Sequence, residues 1–434
     1  MKGICISAVS SGSGKTTVCA AVMAAMVNRG LTVAPFKCGP DYIDTSFHRA
    51  VCGREPHNLD SFFCSPDTLR YLYARYSAGA DISVTEGVMG LYDGINGEYS
   101  TAQVTDICNI PVICVIDARG MSDTLGAIIK GMLTYRRNNI KGFIFNRLAP
   151  SLEGRIRQLC RELGTEFAGY LPKCDEIALE SRHLGLLLAS EDANIRHKLD
   201  KMAALAETYI DLDLIERIAA DIPETGSAPH IRPINKRIAI SKDAAFCFTY
   251  ADNIDYLEQA GCELTYFSPL TDSAVPPCDV MYLCGGYPEN HLDELSANTP
   301  MLRSIRDSIR NGLPTVAECG GFMYLHDTVC DKNGTPYQVA GAINGTCTYA
   351  GRPVDFGYHT YTANSDDLLC KKGETLRAHE FHYYRSDNNG TDFTARKPFR
   401  DGERQCIHAN GRLVAGFAHW YLYGDNSLIM TTSP

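Results

Sequence analysis

The segment SSGSGKTT, Ser10–Thr17, has the residues and the spacing of a phosphate-binding loop. Its glycines allow a tight turn whose backbone N–H groups point at phosphate oxygens, and the helix that follows favours the same anion. Lys15 would reach the β- and γ-phosphates of a nucleotide, and the Thr16 hydroxyl would hold Mg²⁺. Val9 replaces the usual first glycine, yet a strand before the loop and a helix after it disfavour an ordinary glycine-rich turn. The predicted nucleotide-binding residues of the loop are Gly12, Ser13, Gly14, Lys15, Thr16 and Thr17.

Carboxylates follow two other predicted strands and could complete a site for a metal-bound nucleotide. Asp41 and Asp44 come just after the second strand, whereas Glu86 and Asp93 lie in the loop that follows the third. Ligands of open α/β sheets bind at the carboxyl ends of the strands, so we expect these groups to converge. Each could instead be a helix cap or a solvated turn residue. Asn146, at the end of a later strand, could read the edge of a nucleotide base or form a turn.

The segment Glu318-Cys319-Gly320-Gly321 has the pattern of a nucleophile elbow, since a predicted strand precedes it and a helical pattern follows. A cysteine on such a turn is held out of the sheet, and we expect the helix N-terminus to lower the pKa of its thiol. The N–H of Gly320 would stabilise an oxyanion. A second donor could come from the turn that contains Gly286.

A nucleophilic cysteine also needs a base, and three histidines are candidates. His379 and His382 lie in the segment HEFHY, and His419 ends the predicted final strand, 412–419. Any one of them, taken alone, could be an ordinary structural histidine. Only the cysteine elbow makes a catalytic histidine a reasonable expectation.

The elements that must position these groups alternate between short apolar strands and helices. The first series of predicted strands is Gly3–Val9, Leu31–Phe36, Asp81–Thr85, Pro111–Ile116 and Lys141–Phe145, with a helix at Lys15–Arg29. The second series is Arg237–Ser241, Glu263–Phe267, Asp279–Leu283 and Pro314–Ala317. This alternation predicts parallel sheets covered by helices. We therefore predict an α/β protein with two doubly wound domains, at residues 1–220 and 237–434, joined by a Pro- and Gly-rich linker at 221–236.

Composition and charge exclude several classes of protein. The formal net charge of −10 argues against a nucleic-acid partner, which would need a basic face. The 18 cysteines form no C-x-x-C pair, so they are expected to be reduced thiols and not zinc or iron–sulfur ligands. The apolar stretch near the start, 18–27, is too short to span a bilayer, which predicts a cytoplasmic protein without a membrane partner. A homodimer is compatible with the sequence, which leaves the oligomeric state open.

Taken in order, the motifs resemble those of the cobyrinate a,c-diamide synthase family of cobalamin biosynthesis over almost the whole chain. The N-terminal motifs are SSGSGKTT (Ser10–Thr17), KCGPDYID (Lys37–Asp44), EGVMGLYDG (Glu86–Gly94) and SRHLGL (Ser181–Leu186). The C-terminal motifs are FSPL (Phe267–Leu270), GGYPE (Gly285–Glu289), AECGG (Ala317–Gly321) and HEFHY (His379–Tyr383). The resemblance implies a P-loop NTPase domain like that of dethiobiotin synthetase, fused to a class I glutamine amidotransferase domain.

The resemblance also implies a reaction, the amidation of the a and c acetate side chains of a corrin macrocycle with ATP, Mg²⁺ and glutamine. ATP would convert a carboxylate into an acyl phosphate, and the cysteine would release ammonia from glutamine through a thioester. The roles that it implies are catalysis by Cys319 and His419, glutamine or oxyanion binding by Gly286 and Gly320, nucleotide binding by the loop and Asn146, Mg²⁺ ligation by Thr16, Asp44 and Glu86, and substrate binding by Asp41, Tyr42 and Asp93. Arg182 and His183 could offset the carboxylates of the substrate or form a structural salt bridge.

Around His419 the sequence departs from the pattern of this family, which commonly has Ser-Tyr before the histidine and a second histidine two positions after it. Phe417 and Ala418 precede His419 here, and Tyr421 stands two positions after it. Many class I glutaminases carry a glutamate at that position, and a tyrosine cannot take its role. The departure leaves the orienting partner of His419 open and favours a slow glutaminase or the use of free ammonia.

Other functions remain open at this point. The a,c-diamidation of another tetrapyrrole, such as nickel-sirohydrochlorin or hydrogenobyrinate, would need the same machinery. A regulatory P-loop ATPase of the chromosome-partitioning kind, with an inactive glutaminase domain, is a more distant alternative. Such ATPases place a lysine five residues before the loop lysine, where this chain has Ser10. The intact cysteine elbow also argues against an inactive domain.

Overall fold

The computed structural model describes residues 1–179, 181–182, 185–186, 189, 192, 194–223 and 228–424. The chain divides between Pro229 and His230 into two compact units. The predicted motif at 181–186 is only partly within the described residues, and His183 lies outside them. No helix in the described ranges is long and apolar enough to cross a membrane.

The first unit is built on a parallel sheet with the strand order β3-β2-β4-β1-β5-β6-β7, and β10 pairs antiparallel with β1. The strands are β1 (Lys2–Ala8), β2 (Val33–Cys38), β3 (His57–Leu59), β4 (Ile82–Glu86), β5 (Val112–Asp117), β6 (Ile140–Asn146), β7 (Glu166–Leu171), the short antiparallel pair β8 (Ser181–Arg182) and β9 (Gly185–Leu186), and β10 (Ala220–Asp221). Strands β1, β2, β4 and β5 are almost entirely buried, as expected for the centre of a parallel sheet.

Helix α1 of this unit is buried over most of its length, because it packs between the sheet and α7. Its sequence, KTTVCAAVMAAMVN, combines strong helix formers with small apolar residues that allow close packing. The helices of the unit are α1 (Lys15–Asn28), α2 (Asp44–Cys52), α3 (Pro66–Ser77), α4 (Thr101–Ile107), α5 (Thr124–Thr134), α6 (Glu153–Glu162), α7 (Ile195–Tyr209) and α8 (Leu212–Ile218), with 3-10 turns at Pro150–Leu152 and Asp175–Ile177.

The second unit contains a central sheet with the strand order β12-β11-β13-β14-β22-β21, in which only β21 runs antiparallel to its neighbour. The strands of this sheet are β11 (Arg237–Ser241), β12 (Glu263–Phe267), β13 (Val280–Leu283), β14 (Thr315–Glu318), β21 (His408–Ala409) and β22 (Leu413–Gly416). The helices of the unit are α9 (Ala251–Gln259), α10 (Leu292–Ala297), α11 (Thr299–Arg310) and α12 (Gly320–Tyr324), with a 3-10 turn at Pro288–Asn290.

A further, mostly antiparallel sheet of the second unit was not predicted from the sequence. Its strands are β15 (His326–Cys330), β16 (Pro336–Gln338), β17 (Ile343–Ala363), β18 (Thr375–Ser386), β19 (Phe393–Arg396), β20 (Arg404–Cys406) and β23 (His419–Trp420). Strands β17 and β18 form a long hairpin whose register shifts on both sides of Val354. These irregularities interrupt the alternation of polar and apolar residues by which a strand is recognised.

The α/β class predicted from the sequence is confirmed, and most predicted strands lie within a residue or two of the observed ones. The single final strand predicted at 412–419 is wrong. Strand β22 ends at Gly416, and the chain turns out of the central sheet so that His419 pairs with His379 of β18 in the second sheet. Within the predicted linker, Asp221 still pairs with Lys2, and residues 224–227 lie outside the described ranges.

Candidate functional sites

The phosphate loop of the first unit forms a tight turn between β1 and α1. Gly12 and Gly14 have left-handed φ values of 77° and 87°, which glycine adopts without strain. The Asn146 Nδ2 group donates a hydrogen bond of 3.0 Å to the carbonyl of Ser13, and a methyl group on Gly14 would collide with that amide. Asn146 therefore holds the loop in place. Thr17 follows in the first turn of α1.

Three oxygen-bearing side chains that were predicted as Mg²⁺ ligands meet beside the start of α1. The Thr16 hydroxyl lies 2.7 Å from Glu86 Oε1 and 3.3 Å from Asp44 Oδ2. The Lys15 ammonium is 3.7 Å from Glu86 Oε1. Hydroxyl and carboxylate oxygens are the donors that Mg²⁺ prefers, so this set, the oxygen cluster, fits that ion chemically.

Lys37 belongs to the motif KCGPDYID, and the structure places its side chain beside the oxygen cluster, which the sequence does not predict. Its side chain is 1% exposed, its ammonium is 3.1 Å from Glu86 Oε1, and it also pairs closely with Asp44. Burial by itself lowers the pKa of Lys37, but the attraction of Asp44 and Glu86 outweighs burial and raises that pKa well above its usual range. Lys37 is therefore a permanently charged, buried cation.

The two carboxylates of the oxygen cluster respond oppositely to their surroundings. Burial and the neighbouring charge of Asp41 raise the pKa of Asp44 to about 6, although Lys37 opposes this shift. Burial also tends to raise the pKa of Glu86, but Lys37 and a hydrogen bond from His48 outweigh it and hold that pKa well below its usual range. Glu86 is therefore the ionised carboxylate on which the cluster is built.

His48, on α2, contacts Glu86 and was missed in the sequence. Its Nε2 atom lies 2.7 Å from Glu86 Oε2, and both side chains are fully buried. With Cys19 of α1 these two residues place three potential ligand atoms within 4.8 Å of one another. Burial raises the pKa of the Cys19 thiol well above its usual range, so a thiolate ligand is unfavourable there. We interpret His48 as a support for Glu86. It contacts Oε2 of that carboxylate, while Oε1 accepts the hydrogen bond from Thr16.

Of the residues predicted to bind substrate, Asp41 contacts the oxygen cluster, whereas Asp93 makes its hydrogen bond within its own loop. Asp41 accepts hydrogen bonds from the backbone N–H groups of Ile43 and Asp44, at 2.9 and 3.0 Å, and lies 3.7 Å from the Lys37 ammonium. Tyr42 lies in the loop between β2 and α2, and its carbonyl accepts a 2.8 Å hydrogen bond from Thr45 Oγ1. The exposed Asp93 closes its own loop by accepting a 2.8 Å hydrogen bond from the N–H of Gly90.

Cys319, in the second unit, occupies the sharp turn between β14 and α12. Its φ of 46° and ψ of −102° are unusual for a residue with a side chain and cost about 1–3 kcal/mol of strain. The Cys319 N–H donates a 2.8 Å hydrogen bond to Gly416 of β22, which fixes the elbow to the end of the central sheet. A strained backbone that presents a buried thiol at the end of a strand is the geometry of a nucleophile elbow.

The turn after β13 brings the other predicted members of this site together. A methyl group on Gly320 would lie 3.1 Å from the N atom of Gly286 and 2.8 Å from the Cδ atom of Pro288, so the two loops touch there. A methyl group on Gly285 would collide with the His419 ring. The backbone of Gly286, the elbow and His419 thus converge on one turn, as an oxyanion site beside a base requires.

The thiol of Cys319 is less acidic than the sequence suggested. Burial raises its pKa well above the usual range, and the charges of Glu289 and Glu380 raise it further, while the N–H of Gly320 acts in the opposite direction. The prediction of a lowered pKa is therefore wrong, because α12 is only five residues long and carboxylates from other elements surround the thiol. Attack by Cys319 requires removal of its proton by a base.

Of the three candidate bases, two are placed in structural roles. His382 uses both ring nitrogens, at 2.7 Å from the Tyr384 carbonyl and 3.2 Å from Glu380 Oε2, and its ring stacks on Phe417 at 3.8 Å. Burial and the neighbouring His419 lower the pKa of His379 to about 3, so its ring is too weakly basic to take a proton near neutral pH. His419 remains the candidate base, with its Nδ1 atom 3.6 Å from Glu318 Oε2.

Glu289, at the end of the turn that carries Gly286, is a carboxylate near the thiol. Among the described residues its Oε2 atom is buried without a hydrogen-bond partner. Burial raises the pKa of Glu289 to about 7. Such a group can bind a cationic portion of a ligand only when it is ionised.

Comparisons with known proteins match each of the two units to a known domain family. Residues 4–187 match the family model of the CobQ/CobB/MinD/ParA nucleotide binding domain, and residues 237–427 match that of the CobB/CobQ-like glutamine amidotransferase domain. A cobyrinate a,c-diamide synthase of Fusobacterium nucleatum is 38% identical over 99% of this chain and 99% of its own. The enzyme of that name from Caldanaerobacter subterraneus is 35% identical over 96% of this chain and 94% of its own. The one from Salmonella typhimurium is 40% identical over 86% of this chain and 84% of its own.

Proposed function

Because the chain belongs to the cobyrinate a,c-diamide synthase family, we propose that it amidates the a and c carboxylates of cobyrinate with nitrogen from glutamine and energy from ATP. The chain is an ATP-dependent carbon–nitrogen ligase of cobalamin biosynthesis that uses glutamine as its amide donor. We place this reaction in the cytoplasm, with the macrocycle, ATP and glutamine as its small-molecule substrates.

One observation carries this proposal, namely that a single chain holds both the oxygen cluster beside a phosphate loop and a cysteine on a strained elbow. A carboxylate is a poor electrophile, and a nucleotide site can activate it by phosphorylation. Free ammonia is scarce at neutral pH, and a cysteine nucleophile can release it from glutamine. Each site therefore supplies what the other lacks for the formation of an amide.

In the ligase half, the phosphate loop would bind the triphosphate through its backbone N–H groups and Lys15. A carboxylate oxygen of the macrocycle would attack the γ-phosphorus, so that ADP leaves and an acyl phosphate forms. Thr16, Asp44 and Glu86 would hold Mg²⁺, which when bound neutralises charge on the phosphate oxygens. Ammonia would then attack the acyl carbon and displace inorganic phosphate. We assign Asp41, Tyr42 and Asp93 to the side of the site that meets the substrate.

In the glutaminase half, His419 would take the proton of Cys319, and the sulfur would attack the amide carbon of glutamine. The negative charge that develops on the amide oxygen would be stabilised by the N–H groups of Gly320 and Gly286. Collapse of this intermediate would break the carbon–nitrogen bond, and the imidazolium would return its proton to the leaving ammonia. Water would hydrolyse the thioester to glutamate and regenerate the thiol.

The test of this function is mass spectrometry of the product after incubation of the purified protein with ATP, Mg²⁺, glutamine and one macrocycle at a time. We expect cobyrinate to acquire two carboxylate-to-amide changes. A preference for hydrogenobyrinate or nickel-sirohydrochlorin would keep the reaction and change the substrate. ATP hydrolysis without amidation of any of the three would contradict the proposal and favour a regulatory ATPase.

A further inference from the structure

Glu318, the residue directly before the nucleophile, is a buried carboxylate that lies beside His419. It is 2% exposed, and a carboxylate that is removed from water must be compensated by hydrogen bonds or by a positive charge. Its Oε2 atom is 3.6 Å from Nδ1 of His419, and its Oε1 atom is 3.4 Å from the backbone N of Trp420. The Tyr282 side chain also hydrogen-bonds Glu318. The carboxylate is thereby aimed at one side of the His419 ring.

The backbone that carries His419 has other anchors besides the contact between Glu318 and the N–H of Trp420. Asn253, on α9, donates a 2.8 Å hydrogen bond to the Trp420 carbonyl and accepts one of 2.8 Å from the N–H of Leu422. His419 itself pairs with His379 across β18 and β23. The imidazole is therefore presented to Glu318 from a fixed strand, so the separation between the two side chains is set by the fold.

The position two residues after His419 cannot supply an orienting carboxylate in this chain. It is occupied by Tyr421, which is buried and packs edge-on against Tyr250, with ring centroids 5.1 Å apart. A base that gains a proton during the reaction needs a group that fixes its tautomer and stabilises the resulting cation. Glu318 is placed to do so from the strand that ends in the nucleophile.

We propose that Glu318 is the positioning residue of the glutaminase site, holding the Nδ1 side of His419 and stabilising the imidazolium that forms when His419 takes the proton of Cys319. The proton moves from Sγ to the opposite ring nitrogen, Nε2, and leaves with ammonia, so Glu318 accepts no proton in this step. At 3.6 Å the contact between Nδ1 and Oε2 is electrostatic, and the positive charge that His419 gains would strengthen it. The inference rests on the glutamine-hydrolysing half of the proposed function.

The test compares Glu318→Gln and Glu318→Asp with the wild type in two assays that need no macrocycle. The first assay is glutamate release from glutamine. We expect Glu318→Gln to lower kcat by about 10²- to 10⁴-fold with little change in KM, and Glu318→Asp, which keeps the charge, to lower it less. The second assay is alkylation of Cys319 by iodoacetamide, followed on its own peptide by mass spectrometry. Here Glu318→Gln should slow the reaction near pH 7, because the thiolate–imidazolium pair is less stable.

Controls separate this proposal from the proposed function. Amidation driven by ammonium chloride should stay within about twofold of the wild type in both variants, since the ligase half is untouched. The role of Glu318 would be overturned if Glu318→Gln had wild-type rates in both assays. It would also be overturned if Glu318→Asp released glutamate no faster than Glu318→Gln. If Glu318→Gln does not fold, the rates of Glu318→Asp test the proposal, and wild-type rates for that variant in both assays would overturn it. A wild type that releases no glutamate would contradict the glutaminase function, and alkylation would still decide the role of Glu318.

Discussion

Lys37 Nζ lies 3.1 Å from Glu86 Oε1, although the two side chains are 1% and 0% exposed. The same ammonium pairs with Asp44, and the same carboxylate oxygen accepts the Thr16 hydroxyl. A buried charge is tolerated only when an opposite charge or a metal compensates it. Lys37 therefore supports the oxygen cluster with its charge, and a divalent cation at the same oxygens would reinforce that support.

The first prediction concerns this buried cation. Lys37→Met keeps the apolar stem and removes the charge, and it should lower the free energy of unfolding by about 3–5 kcal/mol, because the carboxylates lose their partner. Urea unfolding in EDTA measures this loss, and Mg²⁺ should recover part of it. The control is Lys37→Met combined with Glu86→Gln, which removes one orphaned charge and should be more stable than the single variant. A single variant as stable as the wild type would contradict the assigned charge balance.

The second prediction concerns His48, which holds one oxygen of Glu86. His48→Leu removes that hydrogen bond with little change in volume, and it should weaken the binding of ATP with Mg²⁺ by about 10- to 100-fold, as second-layer contacts of metal sites do. Calorimetric titration of ATP at fixed Mg²⁺ measures the change. The matched control is Cys19→Ala, which alters a buried neighbour without a bond to Glu86 and should bind within about threefold of the wild type. Equal affinities for His48→Leu and the wild type would exclude the role of His48.

How much of the first site the sequence could predict depends on where its residues lie along the chain. Thr16 and Glu86 each follow or end a strand, and the rule that ligands gather at the carboxyl ends of parallel strands places them together correctly. Lys37 and His48 carry no such signal. A lysine at the end of a strand usually reaches water, and only the pairing of β2 with β4, which sets Lys37 opposite Glu86, buries it.

The third prediction separates the two halves of the reaction. Cys319→Ala should lower glutamine-driven amidation by at least about 10³-fold, because the nucleophile is lost, and should leave ammonia-driven amidation unchanged. Product mass spectrometry with glutamine or ammonium chloride measures both activities. Cys330→Ser, which changes a thiol on β15, should retain both. Loss of the ammonia-driven activity in Cys319→Ala would mean that the cysteine serves the ligase step as well.

The fourth prediction complements the third. Lys15→Ala should stop ATP-dependent amidation with either nitrogen source, because the triphosphate loses the side chain expected to bind its terminal phosphates. Glutamate release, which needs no nucleotide chemistry, should be detectable in this variant. Amidation at the wild-type rate with Lys15→Ala would contradict the assignment of the phosphate loop.

The second unit shows what local sequence patterns cannot capture. The elbow at Cys319 was evident because its glycines and its flanking strand are contiguous. The raised pKa of its thiol was not, since burial and the charges of Glu289 and Glu380 depend on the tertiary packing of distant segments. The strand predicted to end at His419 is two strands in two sheets. The break was missed because Gly416, the glycine beside the turn at 417–418, is itself the last residue of β22.

The last prediction concerns the pH dependence set by Glu289. Its pKa is raised by burial from 4.5 to about 7 in the folded protein, so the fold favours the protonated carboxyl. The stabilisation that this proton provides is complete below about pH 4.5 and is lost as the pH rises to about 7. The free energies of unfolding of the wild type and of Glu289→Gln should therefore change differently with pH. Between pH 5 and pH 8 the wild type should lose stability relative to the variant. Denaturant titrations at both pH values measure this difference, with Glu294→Gln, an exposed carboxylate on α10, as the control. A wild-type-minus-variant difference that is the same at both pH values would show that Glu289 is already ionised at pH 5.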